Sequence, residues 1–316
     1  MVKALWLGLL FGLTVASSAR AADAVTRVEQ VLRLDGSEEK PIFSQLWLPR
    51  EPRGLVLYTH GFTDNSRNHR RLYEFLTGRG FAVAAWDMIG HGTSFEMRGY
   101  VDRFEDFTRA MDLVKAHALG RLPAGTPVYA AGYSMGGLVT LRYAQLRDAE
   151  LAGSFYFSPL LKMKLSWMRR FLNKFSKPLD RVLPRVRTPH GVTAPMLLTD
   201  PAVIAERATD PYFFDSMTVH LFRQLLAGME VVQRDVHKLT KPVLFQVAGQ
   251  ELIVEWPATN LFFARIPCTT DKHYRFWPEM RHELDNEAGR EGVYQVLDRW
   301  LDEQARKRTF EKVHAK

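Results

Sequence analysis

Residues 127–137, PVYAAGYSMGG, decide the fold, because they join a short apolar strand, a G-x-S-x-G motif and the first residues of a helix. Gly132, Ser134 and Gly136 fill the motif, and an amphipathic run begins at Leu138. In a sharp strand-to-helix turn, the two glycines leave room for the backbone and the serine oxygen projects outward. The helix N-terminus adds amide N–H groups and a partial positive charge beside that oxygen. The stretch predicts a nucleophile, Ser134; the alternative is a structural turn with a bystander serine.

Outward from this turn, short β-type runs alternate with amphipathic segments of helical length. Alternation of this kind predicts an α/β fold, with a mainly parallel sheet flanked by helices. The predicted strands are 28–34, 42–48, 54–59, 81–86, 128–132, 154–157, 243–247 and 273–277. The predicted helices are 67–76, 104–119, 137–147, 257–264 and 291–306.

The alternation breaks once, between Pro159 and about His237, where the pattern is helical, prolines interrupt it and no strand is predicted. An inserted helical cap between two strands of one sheet is the simplest account. We therefore expect a core of residues 22–157 and 238–316, with the cap at 158–237. Ser158 as N-cap and Pro159 at the first helical position predict that a helix begins there.

Residues 1–21 are typical of a secretory signal peptide. Lys3 gives a positive start, residues 4–16 are apolar, and Ala19 and Ala21 fit an A-x-A cleavage site. The apolar run is shorter than the roughly 18–20 residues that span a bilayer, although a membrane anchor or a buried helix is the alternative. No cysteine lies at the cleavage point, which excludes lipid attachment there. We expect an exported protein, periplasmic or secreted, with or without membrane association.

The composition is that of a globular protein. The chain has 316 residues, of which 46% are hydrophobic and 25% charged, and this excludes collagen-like, low-complexity and wholly disordered classes. A single cysteine, Cys268, excludes an intramolecular disulfide framework and a cysteine-based metal cluster. The net charge of +8 indicates an anionic partner only if the charge is clustered.

Two further strand ends carry polar residues. At the end of strand 54–59, His60 and Gly61 form a turn that can aim the backbone N–H of Phe62 at a developing oxyanion, with the N–H of Met135 as second donor. His60 is expected to brace this loop. Asp87 and His91 follow strand 81–86. They are a candidate catalytic pair, although hydrogen bonds that brace the loop are the expected role.

A serine nucleophile needs a histidine base and a carboxylate that orients it, here expected in the chain order Ser, acid, His. His282 lies in the loop after the last predicted strand, and Glu251 lies in the turn after the preceding strand. His273, inside a strand, and His314, in the basic tail, are poor candidates. Glu283 is the alternative acid, but adjacent side chains rarely point the same way. This chemistry needs no metal and no organic cofactor.

With these residues in place, the chain resembles the monoacylglycerol-lipase and lysophospholipase branch of the α/β-hydrolases over about residues 55–301, apart from much of the cap. The resemblance rests on the segments 59–61 (THG), 87–94 (DMIGHGTS), 98–104 (RGYVDRF), 132–137 (GYSMGG) and 282–284 (HEL). It implies an α/β-hydrolase fold and a serine hydrolase of lipid esters, lysophospholipid or monoacylglycerol, that acts through an acyl-enzyme on Ser134. Glu251 and His282 would complete the triad.

One turn departs from the family pattern. The acid turn of the family is commonly Gly-x-x-Asp-x-x-Val, whereas Leu252 stands three residues after Gly249. Counting back three residues from Val254 reaches Glu251, which predicts a glutamate in a turn one residue shorter.

Alternatives to lipid hydrolysis are a carboxylesterase or peptidase of the same fold acting on small substrates, and a binding protein with a vestigial site. No recognition motif supports binding of nucleic acid.

The charge is concentrated in the cap. Between Lys162 and His190 nine basic residues face a single acid, Asp180, so this stretch carries the whole excess of +8. A basic amphipathic helix near 160–177 predicts peripheral contact with an anionic membrane, and a helix packed over the active site is the alternative. Its predicted apolar residues are Leu161, Leu165, Trp167, Met168, Phe171, Leu172 and Phe175. Candidates for lining an acyl-chain site, or for plain cap core, are Phe213, Phe214, Met217, Leu221, Phe222, Leu225, Leu226 and Met229.

Overall fold

The computed structural model describes residues 25–38, 40–94, 97–164 and 176–314. Eight strands of these residues form one sheet in the order β1-β2-β4-β3-β5-β6-β9-β10, and two short strands, β7 and β8, pair antiparallel in the cap. The strands are β1 Thr26–Arg33, β2 Pro41–Leu48, β3 Gly54–Thr59, β4 Phe81–Trp86, β5 Val128–Tyr133, β6 Gly153–Phe157, β7 Arg187–Pro189, β8 Ser216–Thr218, β9 Val243–Ala248 and β10 Lys272–Trp277.

Helices cover both faces of the large sheet. They are α1 Arg70–Gly78, α2 Phe104–Leu119, α3 Ser134–Arg147, α4 at 176–182, α5 Ala194–Leu197, α6 Pro201–Ala208, α7 Val219–Arg234, α8 Trp256–Arg265 and α9 Arg290–His314. From β4 to β10 the strands pair in parallel, whereas β1 and β2 pair antiparallel at one edge. The α/β fold with a mainly parallel sheet is therefore confirmed.

The central strands are buried on both faces because helices pack on each side. Every residue of β3, β4, β5 and β9 is buried, as expected of parallel strands covered by crossover helices. One hydrophobic core contains residues of α2, α3, α7 and α8, and the other contains residues of α1 and α9. The carboxyl ends of β3, β5 and β9 therefore meet at one edge of a rigid sheet, where α/β folds place their sites.

The cap differs from two of our predictions. Ser158 has φ 40°, and residues 159–164 are not helical, so the helix predicted to begin at Pro159, as part of the basic helix near 160–177, is wrong there. The Ser158 N–H instead donates to the carbonyl of Gln246 on β9, which draws the chain along the sheet edge. Residues 165–175 of the predicted helix lie outside the described residues, as does the predicted signal peptide at 1–21.

The expectation that residues 159–237 hold no strand is also wrong, because β7 and β8 pair there. Each has only three residues, too few for an alternating hydrophobic pattern to appear in the sequence. We name residues 176–189 the outer segment of the cap and residues 190–214 its inner segment.

Within the described part of the chain, no helix combines the length and apolarity needed to cross a membrane.

Candidate active site

Ser134 occupies the sharp turn between β5 and α3. Its φ of 53° lies in the left-handed region that non-glycine residues rarely adopt. A Cβ at Gly132 would lie 2.4 Å from the carbonyl oxygen of Gly136, and a Cβ at Gly136 would lie 2.1 Å from that of His60. Positions 132 and 136 must therefore both be glycine for the turn to close. The turn presents the serine oxygen at the carboxyl edge of the sheet.

The structure brings Ser134, His282 and Glu251 into one hydrogen-bonded chain. Nε2 of His282 lies 2.7 Å from the Ser134 hydroxyl, and Nδ1 lies 2.5 Å from a carboxylate oxygen of Glu251. All three residues are buried. Because Glu251 accepts the Nδ1–H, the tautomer that leaves Nε2 free to accept the serine proton is favoured. The geometry suits general-base activation of a serine nucleophile.

The beginning of the cap holds the turn that carries Glu251. The backbone N–H of Lys164 donates to Ile253 at 2.9 Å, and the N–H of Glu255 donates to Lys162 at 2.8 Å. Lys164 also donates its ammonium to the carbonyl oxygen of Glu251. These contacts fix the shortened acid turn beside His282.

Glu283, the alternative acid, faces away from the imidazole of His282. Its carboxylate accepts from the guanidinium of Arg207 and, at 2.7 Å, from the side-chain amide of Asn286. Of the two glutamates, the structure thus joins only Glu251 to the histidine ring.

The two predicted oxyanion donors belong to residues close to the nucleophile. Phe62 and Ser134 line the same cavity, and Met135 follows Ser134 in the first turn of α3, where amides have no partner within the helix. The ring of Phe62 is held by edge-to-face contacts with His91, His190 and Phe214, at centroid distances of 5.7, 4.9 and 5.5 Å. Two of these three rings belong to the inner segment of the cap, so the cap packs directly on the predicted oxyanion donor Phe62.

His60, Asp87 and His91 lie beside the site and brace its loops. His60 accepts the backbone N–H of Met88 at 2.9 Å. Asp87 accepts the backbone N–H and hydroxyl groups of Ser66 and Thr93 at 2.7–3.1 Å. Burial lowers the pKa of His91 to about 3. Because the four hydrogen bonds that its carboxylate accepts come from Ser66 and Thr93, Asp87 is not arranged as the partner of a catalytic histidine.

The cavity at Ser134 has a volume of about 300 Å³ and a mostly apolar lining. Two of the candidates for an acyl-chain site, Met217 and Leu225, line it, while Leu221 and Met229 pack in the hydrophobic core. Two polar side chains that the sequence did not single out, Lys164 and His190, also line it. The other lining residues are Phe62, Leu160, Met163, Gly191, Val192, Met196, Leu252 and Ile253.

His190 is a neutral imidazole in this arrangement. Its Nε2 lies 2.6 Å from the carbonyl oxygen of Phe214, and its Nδ1 accepts the backbone N–H of Val192 at 3.0 Å. A ring nitrogen that accepts a hydrogen bond carries no proton. Lys164 is therefore the charged side chain that the described residues contribute to this cavity.

A buried charged cluster includes Glu283, the residue after His282, and the sequence did not predict it. The two ring nitrogens of His69 each lie 2.6 Å from a carboxylate oxygen, one of Asp64 and one of Asp285. Although burial opposes the charged form, the carboxylates of Asp285 and Asp64 raise the pKa of His69 to about 10. Arg207 contacts Asp64 and Glu283. The signal in the sequence was HELDNE at 282–287, whose acids Glu283 and Asp285 are buried against Arg207 and His69.

Among the described residues, two groups of side chains place ligand atoms close enough for a metal ion, yet each already contains a protein cation. Asp64, His69 and Glu283 form one group, into which Arg207 inserts its guanidinium. Asp271, His273 and Glu303 form the other, where the ammonium of Lys307 binds both carboxylates. Neither group lines the cavity at Ser134.

Known proteins are similar to this chain in sequence and in fold. Residues 50–289 match the family Hydrolase_4, serine aminopeptidase S33. The phospholipase YtpA of Bacillus subtilis is 26% identical over 261 residues, which cover 81% of this chain and 98% of that protein. The human monoglyceride lipase is 24% identical over 298 residues, which cover 91% of this chain and 95% of that protein.

A solved structure resembles this chain at the level of the fold. It is a soluble variant of the monoglyceride lipase of Saccharomyces cerevisiae in complex with a substrate analog. The two superpose with a TM-score of 0.77 at 21% identity, over 90% of this chain and 97% of that one.

Proposed function

The chain belongs to the Hydrolase_4 family of the α/β-hydrolase fold, and from this premise we propose that it hydrolyses carboxylic esters of lipids through an acyl-enzyme on Ser134. The observation that carries the proposal is the Ser134–His282–Glu251 chain of hydrogen bonds, which opens into a mostly apolar cavity. An apolar cavity beside a serine nucleophile suits an acyl chain.

The residues act in two steps. His282 takes the proton of Ser134 as the serine oxygen attacks the ester carbonyl, and the tetrahedral oxyanion accepts the backbone N–H groups of Phe62 and Met135. His282 then gives the proton to the departing alcohol. Water, deprotonated by the same histidine, attacks the acyl-enzyme and releases the fatty acid. Glu251 orients the imidazole and stabilises its charged form throughout.

The named activities of the relatives support a lipid ester as substrate. Two are called phospholipase and monoglyceride lipase, and both align over most of their own length. The family description, serine aminopeptidase, supports the alternative of a small ester or peptide substrate. A binding protein with a vestigial site is disfavoured because all three members of the triad are in contact.

A fluorophosphonate probe and an acyl-length series test the proposal. Wild-type protein should be labelled, and Ser134→Ala should abolish the labelling and lower kcat by roughly 10⁵–10⁶-fold. Across p-nitrophenyl and monoacylglycerol esters, kcat/KM should rise with chain length up to long acyl chains. Fast turnover of short esters with none of long-acyl substrates would contradict lipid hydrolysis and support the small-substrate alternative.

Lys164 favours an anionic head group and therefore a lysophospholipid over a monoacylglycerol. It lines the cavity with Ser134, and its ammonium uses one hydrogen bond on the carbonyl of Glu251. An ammonium has three donors, and within the described part of the chain one is used, which leaves two for a phosphate placed beside the scissile ester.

The head-group proposal is tested by the ratio of the kcat/KM values for two substrates. Lys164→Met should lower kcat/KM for an anionic lysophospholipid about tenfold more than for a monoacylglycerol of the same acyl chain. The ratio cancels any general effect on the acid turn. Lys162→Met is the matched control, because Lys162 pairs with Glu255 outside the cavity. An unchanged ratio in Lys164→Met would assign the neutral lipid as the substrate.

We further propose that the protein is exported and that its cap contacts an anionic membrane. In the outer segment Val182, Leu183 and Val186 are exposed, at 72%, 50% and 40%, among exposed Lys177, Arg181, Arg185 and Arg187. Apolar side chains ringed by cations suit an interface with anionic lipid. The A-x-A pattern after a short apolar run supports export.

Vesicle binding tests the membrane contact. The triple substitution Lys177→Gln/Arg181→Gln/Arg185→Gln should weaken binding to anionic vesicles by about 100-fold, since each cation contributes about 1 kcal/mol near such a surface. Hydrolysis of a soluble short ester should stay unchanged. Equal vesicle binding by the wild type and the triple variant would show that these basic residues only face solvent. Cleavage after Ala21, read from the N-terminus of protein isolated from the exporting cell, tests export.

A further inference from the structure

The inner segment of the cap is hydrogen-bonded to the loop that carries His282, named here the histidine loop (residues 278–287). The backbone N–H of Glu283, the residue after His282, donates to the carbonyl of Leu197 at 2.8 Å. Thr199 donates its N–H and its hydroxyl to Glu287, both at 2.6 Å. A segment held this way moves only if the histidine loop moves with it.

The same segment is bound next to the loop that contains the predicted oxyanion donor Phe62, residues 60–65, named here the oxyanion loop. Asp210 accepts the side-chain amides of Asn65 and Asn68 at 2.8 and 2.7 Å. On the outside of α6, Glu206 pairs with Arg71 through two hydrogen bonds of 2.7 and 3.0 Å. The inner segment thus bridges two loops that approach Ser134 from different strands.

Arg207 lies at the centre of this bridge. It projects from α6 into the protein, where its side chain is 7% exposed. One guanidinium nitrogen lies 3.3 Å from Asp64, on the oxyanion loop, and another binds Glu283, on the histidine loop. The planar fork of arginine fits this task, because one rigid group reaches two carboxylates at a fixed separation.

The two carboxylates that Arg207 binds lie close in the chain to residues that take part in the proposed reaction. Asp64 is two residues after Phe62, and it also accepts the backbone N–H of Asn65 at 2.8 Å and contacts His69 at 2.6 Å. Glu283 follows His282 directly in the chain. Because buried charges are stable only with their partners in place, the ion pairs set the positions of both loops.

We propose that Arg207 is a positioning residue, which holds the oxyanion loop and the histidine loop at the separation that catalysis requires. The inner segment of the cap then stays docked throughout turnover, and substrate enters past other parts of the cap. This inference rests on the proposed serine hydrolase function, and it assigns to a cap residue a role in the chemical step at Ser134.

The test measures kcat per active site, with the sites counted by fluorophosphonate titration. In Arg207→Met, kcat per titrated site for a soluble short ester should fall by about 10–100-fold, since small misplacements of reacting groups have effects of this size, while KM changes less than about threefold. A boronic acid that mimics the tetrahedral intermediate should lose affinity in parallel with kcat/KM. Arg207→Lys, which keeps the charge without the fork, should recover part of the loss.

Arg71→Met is the matched control. It removes the ion pair between Arg71 of α1 and Glu206, the neighbour of Arg207 on α6, and this pair lies outside both loops. Its kcat per site should equal that of the wild type. An Arg207→Met protein with wild-type kcat per site overturns the inference, since a merely structural role lowers only the number of active sites.

If Arg207→Met does not fold, a second variant tests the inference. Arg207→Met/Glu283→Gln removes the guanidinium together with one of the buried carboxylates it neutralises. Reduced kcat per site in this folded double variant supports the inference, and wild-type kcat per site overturns it. A wild-type protein that hydrolyses no ester contradicts the proposed function itself, an outcome distinct from an active enzyme that is indifferent to Arg207.

Discussion

The inner and outer segments of the cap are consecutive in the chain, yet they are built for different surroundings. In the inner segment, Arg207 is buried between two carboxylates, and Thr199 and Asp210 bind the loops around the active site. In the outer segment, only Ser176 is buried, and three apolar side chains face outward. One insertion can therefore supply both a fixed support for catalysis and a surface for a substrate that resides in an interface.

The largest effects should come from the triad beneath the inner segment. Glu251→Gln should lower kcat by roughly 10³–10⁴-fold, because the amide no longer holds the correct tautomer of His282 or stabilises its charged form. Steady-state kinetics on a soluble ester measures this. Glu255→Gln, in the same turn but paired with Lys162 at the surface, is the control and should stay near wild type. A loss below tenfold in Glu251→Gln would show that another carboxylate orients the histidine.

The next effect concerns the free energy of unfolding in the charged cluster below the inner segment. Asp285→Asn should lower it by about 3–5 kcal/mol at neutral pH, because a buried His69 loses one of its two carboxylates. Urea unfolding measures the change. His273→Gln, which removes a half-exposed histidine paired with Asp271, is the control and should cost less than about 1 kcal/mol.

The same cluster predicts a pH dependence with a defined sign. The pKa of His69 is about 10 in the folded protein and near 6.5 when unfolded, so its contribution to stability is complete below about 6.5. That contribution should be lost progressively as pH rises from about 6.5 through 10. The decline in wild-type stability over this range should be shallower in Asp285→Asn. Parallel declines in the two proteins would contradict a charged His69.

A smaller effect should come from single contacts of the inner segment. Thr199→Val keeps the shape of the side chain but removes the hydroxyl that donates to Glu287, and hydrogen bonds to charged groups contribute about 1.5–3 kcal/mol. The amide of Glu283, bonded to Leu197, should then exchange its hydrogen faster. Thr188→Val, in β7 of the outer segment, should change stability by less than about 0.5 kcal/mol. Equal effects of both substitutions would remove the distinction between the two segments.

Local patterns in the sequence were sufficient for the sheet and for the position of the serine turn. The helix 104–119 was predicted to the residue, and the G-x-S-x-G spacing marked Ser134 because two glycines must flank a serine in that turn. Glu251 required counting back from Val254, since the acid turn is one residue shorter than the family pattern. Such features lie within a few residues of each other and are visible without a fold.

The features that the sequence did not reveal depend on distant contacts. Arg207 lies 143 residues after Asp64 and 76 residues before Glu283, so no local pattern joins them. Ser158 was predicted to cap a helix because Ser-Pro favours that position. In the structure its N–H bonds to Gln246 and its hydroxyl accepts the N–H of Ala248, and these contacts with β9 override the local preference.

The smallest effect on stability, and the sharpest separation of the two segments, should come from Leu183→Ser. Leu183 is 50% exposed in the outer segment, so its replacement should change the free energy of unfolding by less than about 0.5 kcal/mol and leave hydrolysis of a soluble ester unchanged. Binding to anionic vesicles should nevertheless weaken several-fold, because the apolar surface that would enter the lipid is lost.

Leu261→Ser is the control for this last comparison, since Leu261 is a leucine of α8 that is 70% exposed and lies outside the cap. Sedimentation with vesicles should distinguish Leu183→Ser from both Leu261→Ser and the wild type. If Leu261→Ser weakens binding as much as Leu183→Ser, the contact with lipid is not confined to the outer segment. The exposed apolar residues there would then be ordinary surface, and the cap would differ from the core only through the inner segment that holds the catalytic loops.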